Sequence, residues 1–160
     1  MPKIDLAKVP TKSGSNYPSA LAALVGERAQ QRLGDASGLS QFGVNIVTLQ
    51  PDALSSLRHW HEEQDEFLIV LSGELTLVDD SGDTTLLPGD CASFPAGDAN
   101  GHNVVNKSDK AGSFLVVGTR TDTETAWYSD MDMKVTAKNG AFTFTRKNGT
   151  PLETPSTEDT

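Results

Sequence analysis

The alternation of apolar and polar positions changes character near residue 41. Before it, the chain opens with a polar stretch containing Pro and Gly, followed by an Ala- and Leu-rich run from Ala20 to Leu33. That run reads as one short helix, capped near Asn16 to Ser19. Leu21, Leu24, Val25 and Ala29 would share its apolar face, leaving Glu27, Arg28, Gln30 and Gln31 in water. From Gln41 onward, short β-branched and aromatic runs alternate with turn residues. They predict strands at Phe42–Leu49, Ser56–His61, Glu66–Ser72, Glu74–Val78, Asp83–Leu87, Cys91–Phe94, His102–Asn106 and Ser113–Arg120. Ser72-Gly73, Asp80-Ser81-Gly82-Asp83, Pro88-Gly89 and Pro95-Ala96-Gly97 mark the turns. Met133–Ala137 and Ala141–Arg146, joined by Lys138-Asn139-Gly140, read as a further hairpin that extends one sheet. The expected class is all-β, with regularly spaced strands forming a sandwich or barrel.

The pattern divides the chain into an N-terminal arm with its helix over 1–40, a β core over 41–120, C-terminal strands over 121–149 and a polar tail over 150–160. With 160 residues there is room for one sizeable core. The net charge of −9 disfavours nucleic-acid partners and anionic membrane surfaces, which select clustered Lys and Arg. A small-molecule ligand is expected instead. No apolar run approaches the ~18 residues of a membrane span. The N-terminus shows no signal-peptide pattern, so a cytoplasmic location is expected. The lone Cys91 excludes an intrachain disulfide and reads as a core residue.

The chain has three histidines, confined to two short segments. Successive side chains on a strand alternate faces, so His59 and His61 converge while Trp60 points away, toward a packing or dimer contact. Leu68 and Val70 share the face of Glu66, Val104 shares that of His102, and Phe67, Ile69 and Leu71 lie opposite. Glu66 opens the strand after the histidine pair, and a carboxylate there can return beside it. The nearest cation in sequence, Arg58, lies on the face of Trp60, so no Arg or Lys cluster marks a phosphate site. Glu62, Glu63, Asp65 and Asp98 read as solvated loop carboxylates, and Asp130 and Asp132 as an acidic surface turn.

His59-x-His61, four residues, Glu66, six residues, Gly73 resembles the first motif of the cupin superfamily. Gly89, five residues, Pro95-x-Gly97, then His102, three residues, Asn106 resembles the second. The resemblance implies a double-stranded β-helix, or jelly roll, holding one divalent metal on His59, His61, Glu66 and His102. The step to Gly73 prefers Glu66 to Asp65. Two departures stand out: Ala53 replaces the usual opening Gly, and the longer loop Asp98-Ala99-Asn100-Gly101 precedes His102. Three nitrogens and one oxygen leave coordination positions open for water or substrate, and suit Mn, Fe, Ni, Co or Zn.

The expected activity is that of a metal-dependent enzyme, an isomerase or a dioxygenase, acting on a small oxygen-rich or carboxylate-bearing metabolite. The alternative is a non-catalytic sensor or storage barrel. The stretch from Trp127 to Met133 with Lys147 to Pro151 resembles the C-terminal extension of bacterial single-barrel cupins, some labelled as sugar-phosphate isomerases. Exposed sheet edges and an apolar outer face lead to an expected homodimer.

Overall fold

A computed structural model describes residues 3–152. Its elements run β1 (Thr11–Ser13), α1 (Ser19–Ala22), β2 (Arg28–Arg32), α2 (Leu33–Ala36), β3 (Phe42–Leu49), β4 (His59–His61), β5 (Glu66–Ser72), β6 (Leu75–Asp79), β7 (Gly82–Leu86), β8 (Cys91–Phe94), β9 (Asn103–Val105), β10 (Gly112–Thr119), β11 (Thr123–Tyr128), β12 (Lys134–Lys138) and β13 (Ala141–Thr145). One sheet has six strands in the order β1-β2-β3-β10-β5-β8. The others have four, β13-β12-β11-β4, and three, β7-β6-β9.

Single bridges at His59–His102 and Leu54–Val105 join the two smaller sheets along one seam. Together they form the second layer of a double-stranded β-helix, the arrangement that the resemblance of the two motifs implies. The core between the layers consists of Val47, Leu49, Leu68, Val70 and Phe114 from the six-stranded sheet, with Leu75, Leu86 and Val104 from the three-stranded one. Enclosing side chains of this size contributes roughly 1.5–3 kcal/mol each. A second cluster, Val25, Leu57, Tyr128 and Met133, packs the N-terminal arm onto the four-stranded sheet. The predicted hairpin does extend a sheet, with β13 and β12 continuing outward from β11.

The motif residues hold the turns. Gly73 sits at φ 76°, and a Cβ there would lie 2.7 Å from Gly112 Cα, so backbone packing excludes any larger residue. Asn106 is fully buried. Its Nδ2 donates to the Leu49 and Lys110 carbonyls at 2.9 and 2.8 Å, and its Oδ1 accepts from Ser108 N at 3.0 Å.

Three expectations need correction. The run Ala20 to Leu33 is not one helix. α1 ends at Ala22, Ala23–Val25 form a 3-10 turn, and Gly26 at φ 64° reverses the chain into β2. β2 pairs with β3 from Arg28↔Leu49 to Arg32↔Asn45, and this long-range pairing overrides local helix propensity. Arg28 and Gln30 therefore line an interior cavity instead of a solvated helix face. Second, Cys91 is exposed rather than in the core: it lies opposite Ile69, and the alternation of β8 turns Ala92 and Phe94 inward instead. Third, the strand expected at Ser56–His61 is ordered as strand only over His59–His61, because its partner β11 spans just Ala126 to Tyr128 opposite it. β11 lies in the stretch 121–149, for which the sequence predicts strands without bounds at Thr123–Tyr128. Most of the tail expected over 150–160, from 153 onward, lies outside the described residues.

Candidate metal centre

β4 is a three-residue strand, yet it fixes two of the predicted ligands. Its register against β11 sets Tyr128 opposite His59, Trp127 opposite Trp60 and Ala126 opposite His61. Strand parity then works as read from the sequence: the His59 and His61 rings project together with their Nε2 atoms 3.1 Å apart. Trp60 points the other way and stacks on Trp127 with ring centroids 6.2 Å apart. Glu66 opens β5, and its Oε2 lies 3.7 Å from His61 Nε2 and 3.1 Å from His102 Nε2. His59, His61 and Glu66 thus bring one ligand atom each within 4.8 Å of one another, and His102 reaches the same carboxylate.

His102 is buried and stacks on Phe94, with ring centroids 3.4 Å apart. The long loop before it is tied down. Asn100 accepts from Asp80 N at 2.8 Å and donates to Asp79 at 3.2 Å, while Gly101 passes so close to Ser129 that a Cβ would collide with the hydroxyl. Asp65 is turned away and accepts from Ala96 N at 2.8 Å, shaping the Pro95 turn. The other loop carboxylates are likewise engaged, Glu62 with Trp127 Nε1 and Glu63 with the Thr123 hydroxyl.

The proton positions follow from the partners. His59 Nδ1 faces the Leu57 carbonyl at 2.8 Å, which only accepts, so Nδ1 carries the hydrogen and Nε2 presents a lone pair. His61 Nδ1 is buried without a hydrogen-bond partner, but the Glu124 carboxylate lies 3.7 Å away. That negative charge favours a proton on Nδ1 and directs the Nε2 lone pair toward His59. Two such nitrogens 3.1 Å apart repel unless they share a positive centre, a proton in the metal-free protein or a cation in a loaded one. At bond lengths of about 2.1 Å, ligands at a right angle stand about 3.0 Å apart, so the observed spacings suit a coordination shell.

The charges agree. Burial, with the neighbouring His61, holds the His59 pKa down at about 4, against the opposing pull of Glu66. Burial pushes the Glu66 carboxyl up, but the His102 hydrogen bond and the surrounding imidazoles outweigh it and hold the group at about 2. Burial also lowers His61, and is outweighed by Glu124 and Glu66, so its net shift is upward.

Glu124 is the residue that sequence reading missed. It is 5% exposed and receives the Glu62 N–H at 2.9 Å and the Glu63 N–H at 3.1 Å. It therefore anchors the corner after β4 while facing His61. The only advance signal was a lone acid in an alternating run, TETAWY, which is weak on its own.

The centre opens on a cavity of about 210 Å³ between the layers. Leu68, Phe94, Val104, Phe114 and Val116 form its apolar walls, and Arg28, Gln30, Asn45, Ser55 and Ser56 supply polar groups. No cation cluster had been expected near the motifs, yet β2 delivers Arg28 to this space.

Comparison with known proteins places these features in context. The cupin domain profile matches residues 45–118. A sugar phosphate isomerase of the cupin superfamily from Silicibacter pomeroyi is 59% identical over 95% of this chain and 97% of its own, with a TM-score of 0.93. A candidate sugar phosphate isomerase from Acidithiobacillus ferrooxidans is 26% identical over 81% and 82% of the two chains, with a TM-score of 0.72. The polyketide cyclase RemF from Streptomyces resistomycificus shares the fold at 23% identity, over 74% and 79%, with a TM-score of 0.61. Comparison with curated proteins gives no match.

Proposed function

The chain belongs to the cupin superfamily, and on that premise we propose that His59, His61, Glu66 and His102 hold one divalent ion in a metal-dependent enzyme for a small oxygen-rich or carboxylate-bearing metabolite. The observation that carries this reading is the 3.1 Å approach of the His59 and His61 Nε2 atoms beside the Glu66 carboxylate, on the wall of a cavity between the layers. A bound ion supplies a Lewis acid that polarises a substrate oxygen. The chain's own residues orient and line the site: the Leu57 carbonyl and Glu124 set the imidazole tautomers, and Leu68, Val104 and Phe114 give the cavity apolar walls. Ser55, Ser56, Gln30 and Asn45 offer neutral hydrogen bonds to substrate oxygens.

Isomerase chemistry is favoured over oxygenase chemistry by the 59% identity to the Silicibacter pomeroyi protein. One observation supports a second reading, a non-catalytic binding or sensing module: apart from the four candidate ligands, the side chains lining the cavity include no carboxylate or histidine to move a proton. Elemental analysis of the purified protein, with and without His61→Ala and His102→Ala, tests the metal reading; an absence of bound divalent ion in wild type ends it. Turnover assays on ligands found by thermal shift separate the enzyme from the binder. No helix among the described residues is long and apolar enough to cross a membrane, and a cytoplasmic location is part of the proposal. The homodimer is proposed on the outer face of the six-stranded sheet, where Phe67 and Leu71 are exposed, and is read by light scattering.

A further inference from the structure

Five arginines occur in the chain, and four of them are paired. Arg32 and Arg120 meet Asp35, Arg58 meets Asp80 and Asp130, and Arg146 meets Asp132. Among the described residues Arg28 has no carboxylate within ion-pair distance, although it lies on the wall of the cavity that also holds His59, Glu66 and His102. Its Nη1 donates to the Gly14 carbonyl at 2.9 Å and its Nη2 to Gln30 Oε1 at 3.0 Å, both neutral acceptors. Its Nε–H is buried without a partner.

A guanidinium has five N–H groups, so most of this donor set is uncommitted. Burial presses its pKa below the ordinary value, the signature of a charge removed from water. The residue is half-buried, so its charge is partly removed from water with only neutral acceptors beside it, and an anion in the cavity would supply the missing partner. Glu66 does not, because its carboxylate is engaged with His102 and His61.

We propose that Arg28, flanked by Gln30 and Asn45, anchors the carboxylate of a small substrate whose opposite end carries the oxygen presented to the His59, His61, Glu66 and His102 centre. The placement of that opposite end rests on the metal reading above. The fork of a guanidinium fits a carboxylate or a phosphate, but the single positive charge of Arg28 balances one carboxylate and leaves a phosphate dianion half compensated between two neutral amides. The cavity, at about 210 Å³, is modestly larger than an engineered void of about 150 Å³ that admits benzene, so the ligand is compact.

The test uses the whole chain loaded with Mn²⁺, its metal content measured first. Succinate, its uncharged isostere succinamide and inorganic phosphate are then titrated by calorimetry into wild type, Arg28→Gln and Arg28→Lys. Succinate should bind wild type in preference to the other two. Arg28→Gln should keep its metal content and weaken succinate roughly ten- to hundredfold, with partial recovery in Arg28→Lys. Equal succinate affinity in wild type and Arg28→Gln, or a wild type that prefers phosphate, overturns the proposal. Equal affinity of wild type for succinate and succinamide overturns it without any substitution. A chain that takes up no Mn²⁺ ends the metal reading alone, since the Arg28 dependence of succinate binding is then read on the metal-free protein.

Discussion

His59 and His102 exchange backbone hydrogen bonds across the seam of the second layer, His102 N–H to the His59 carbonyl at 2.9 Å and His59 N–H to the His102 carbonyl at 3.2 Å. The bridge that joins two sheets also sets two candidate ligands side by side, with ring centroids 5.5 Å apart. Loop length upstream of His102 therefore matters little to its position. The bridge to His59, not the loop, decides where the imidazole emerges.

Removing a candidate ligand side chain should abolish stable loading. His61→Ala and His102→Ala are expected to drop bound divalent metal from about one ion per chain to a small fraction, read by elemental analysis after dialysis. Asp65→Ala should leave the metal content unchanged, because Asp65 holds the Ala96 N–H instead of facing the centre.

Glu124 acts through His61. Glu124→Gln retains one oxygen, enough for the Glu62 N–H and a longer 3.4 Å contact from the Glu63 N–H, but loses the second acceptor and the charge facing His61 Nδ1. Metal affinity is expected to fall about 10- to 100-fold, with a smaller drop in melting temperature than Glu124→Ala gives. Glu124→Ala should add a stability loss of about 1–3 kcal/mol from the orphaned N–H groups. Competition titration with a metal indicator, alongside thermal melts, reads both effects.

The metal-free protein should lose stability in acid in two windows. His59 is held at about 4 in the fold against an ordinary 6.5, so the unfolded chain binds the extra proton between those values. Stability contributed by neutral His59 is present above 6.5 and lost as pH falls toward 4. Glu66, held at about 2 against 4.5, adds a second loss as pH falls from 4.5 toward 2. His61 shifts upward and acts with the opposite sign, contributing stability that is lost as pH rises through its folded value. Urea denaturation of chelator-treated protein across the acid range checks this; stability independent of pH from 7 to 4 would contradict the assignment of a buried, neutral His59.

Asn106→Ala should destabilise the fold by about 2–4 kcal/mol without altering the metal donors. The substitution strips the Leu49 and Lys110 carbonyls and the Ser108 N–H of a partner that is fully buried. Chemical denaturation measures the loss, and full metal content in the folded fraction separates it from a defect at the centre.

Much of the candidate site was legible along the chain because it depends on local geometry. Two-residue alternation alone places His59 and His61 on one side and Trp60 on the other, and it separates the buried Leu68 and Val70 from the exposed Phe67 and Leu71. Turn chemistry likewise marks Gly73, where a left-handed backbone and close contact leave no room for Cβ. Strand limits shift by a residue or two in most cases, as at Leu75–Asp79 against the expected Glu74–Val78.

Periodicity within the chain was enough to determine an all-β class and a convergent histidine pair, while the jelly roll and the preference for Glu66 over Asp65 came from the resemblance of the two motifs to the cupin pattern. Tertiary structure alone decided that Arg28 to Arg32 would be a strand, since pairing with Phe42–Leu49 outcompetes a helical run whose local propensity is adequate. It thereby carried Arg28 from an imagined wet helix face to the cavity wall. It also set Glu124 against His61, across 63 positions of chain, and locked His102 to His59. The physical reason is common to all three: side-chain direction within a strand is a property of the local backbone, whereas the neighbour a strand acquires is settled by long-range hydrogen-bond pairing and core burial.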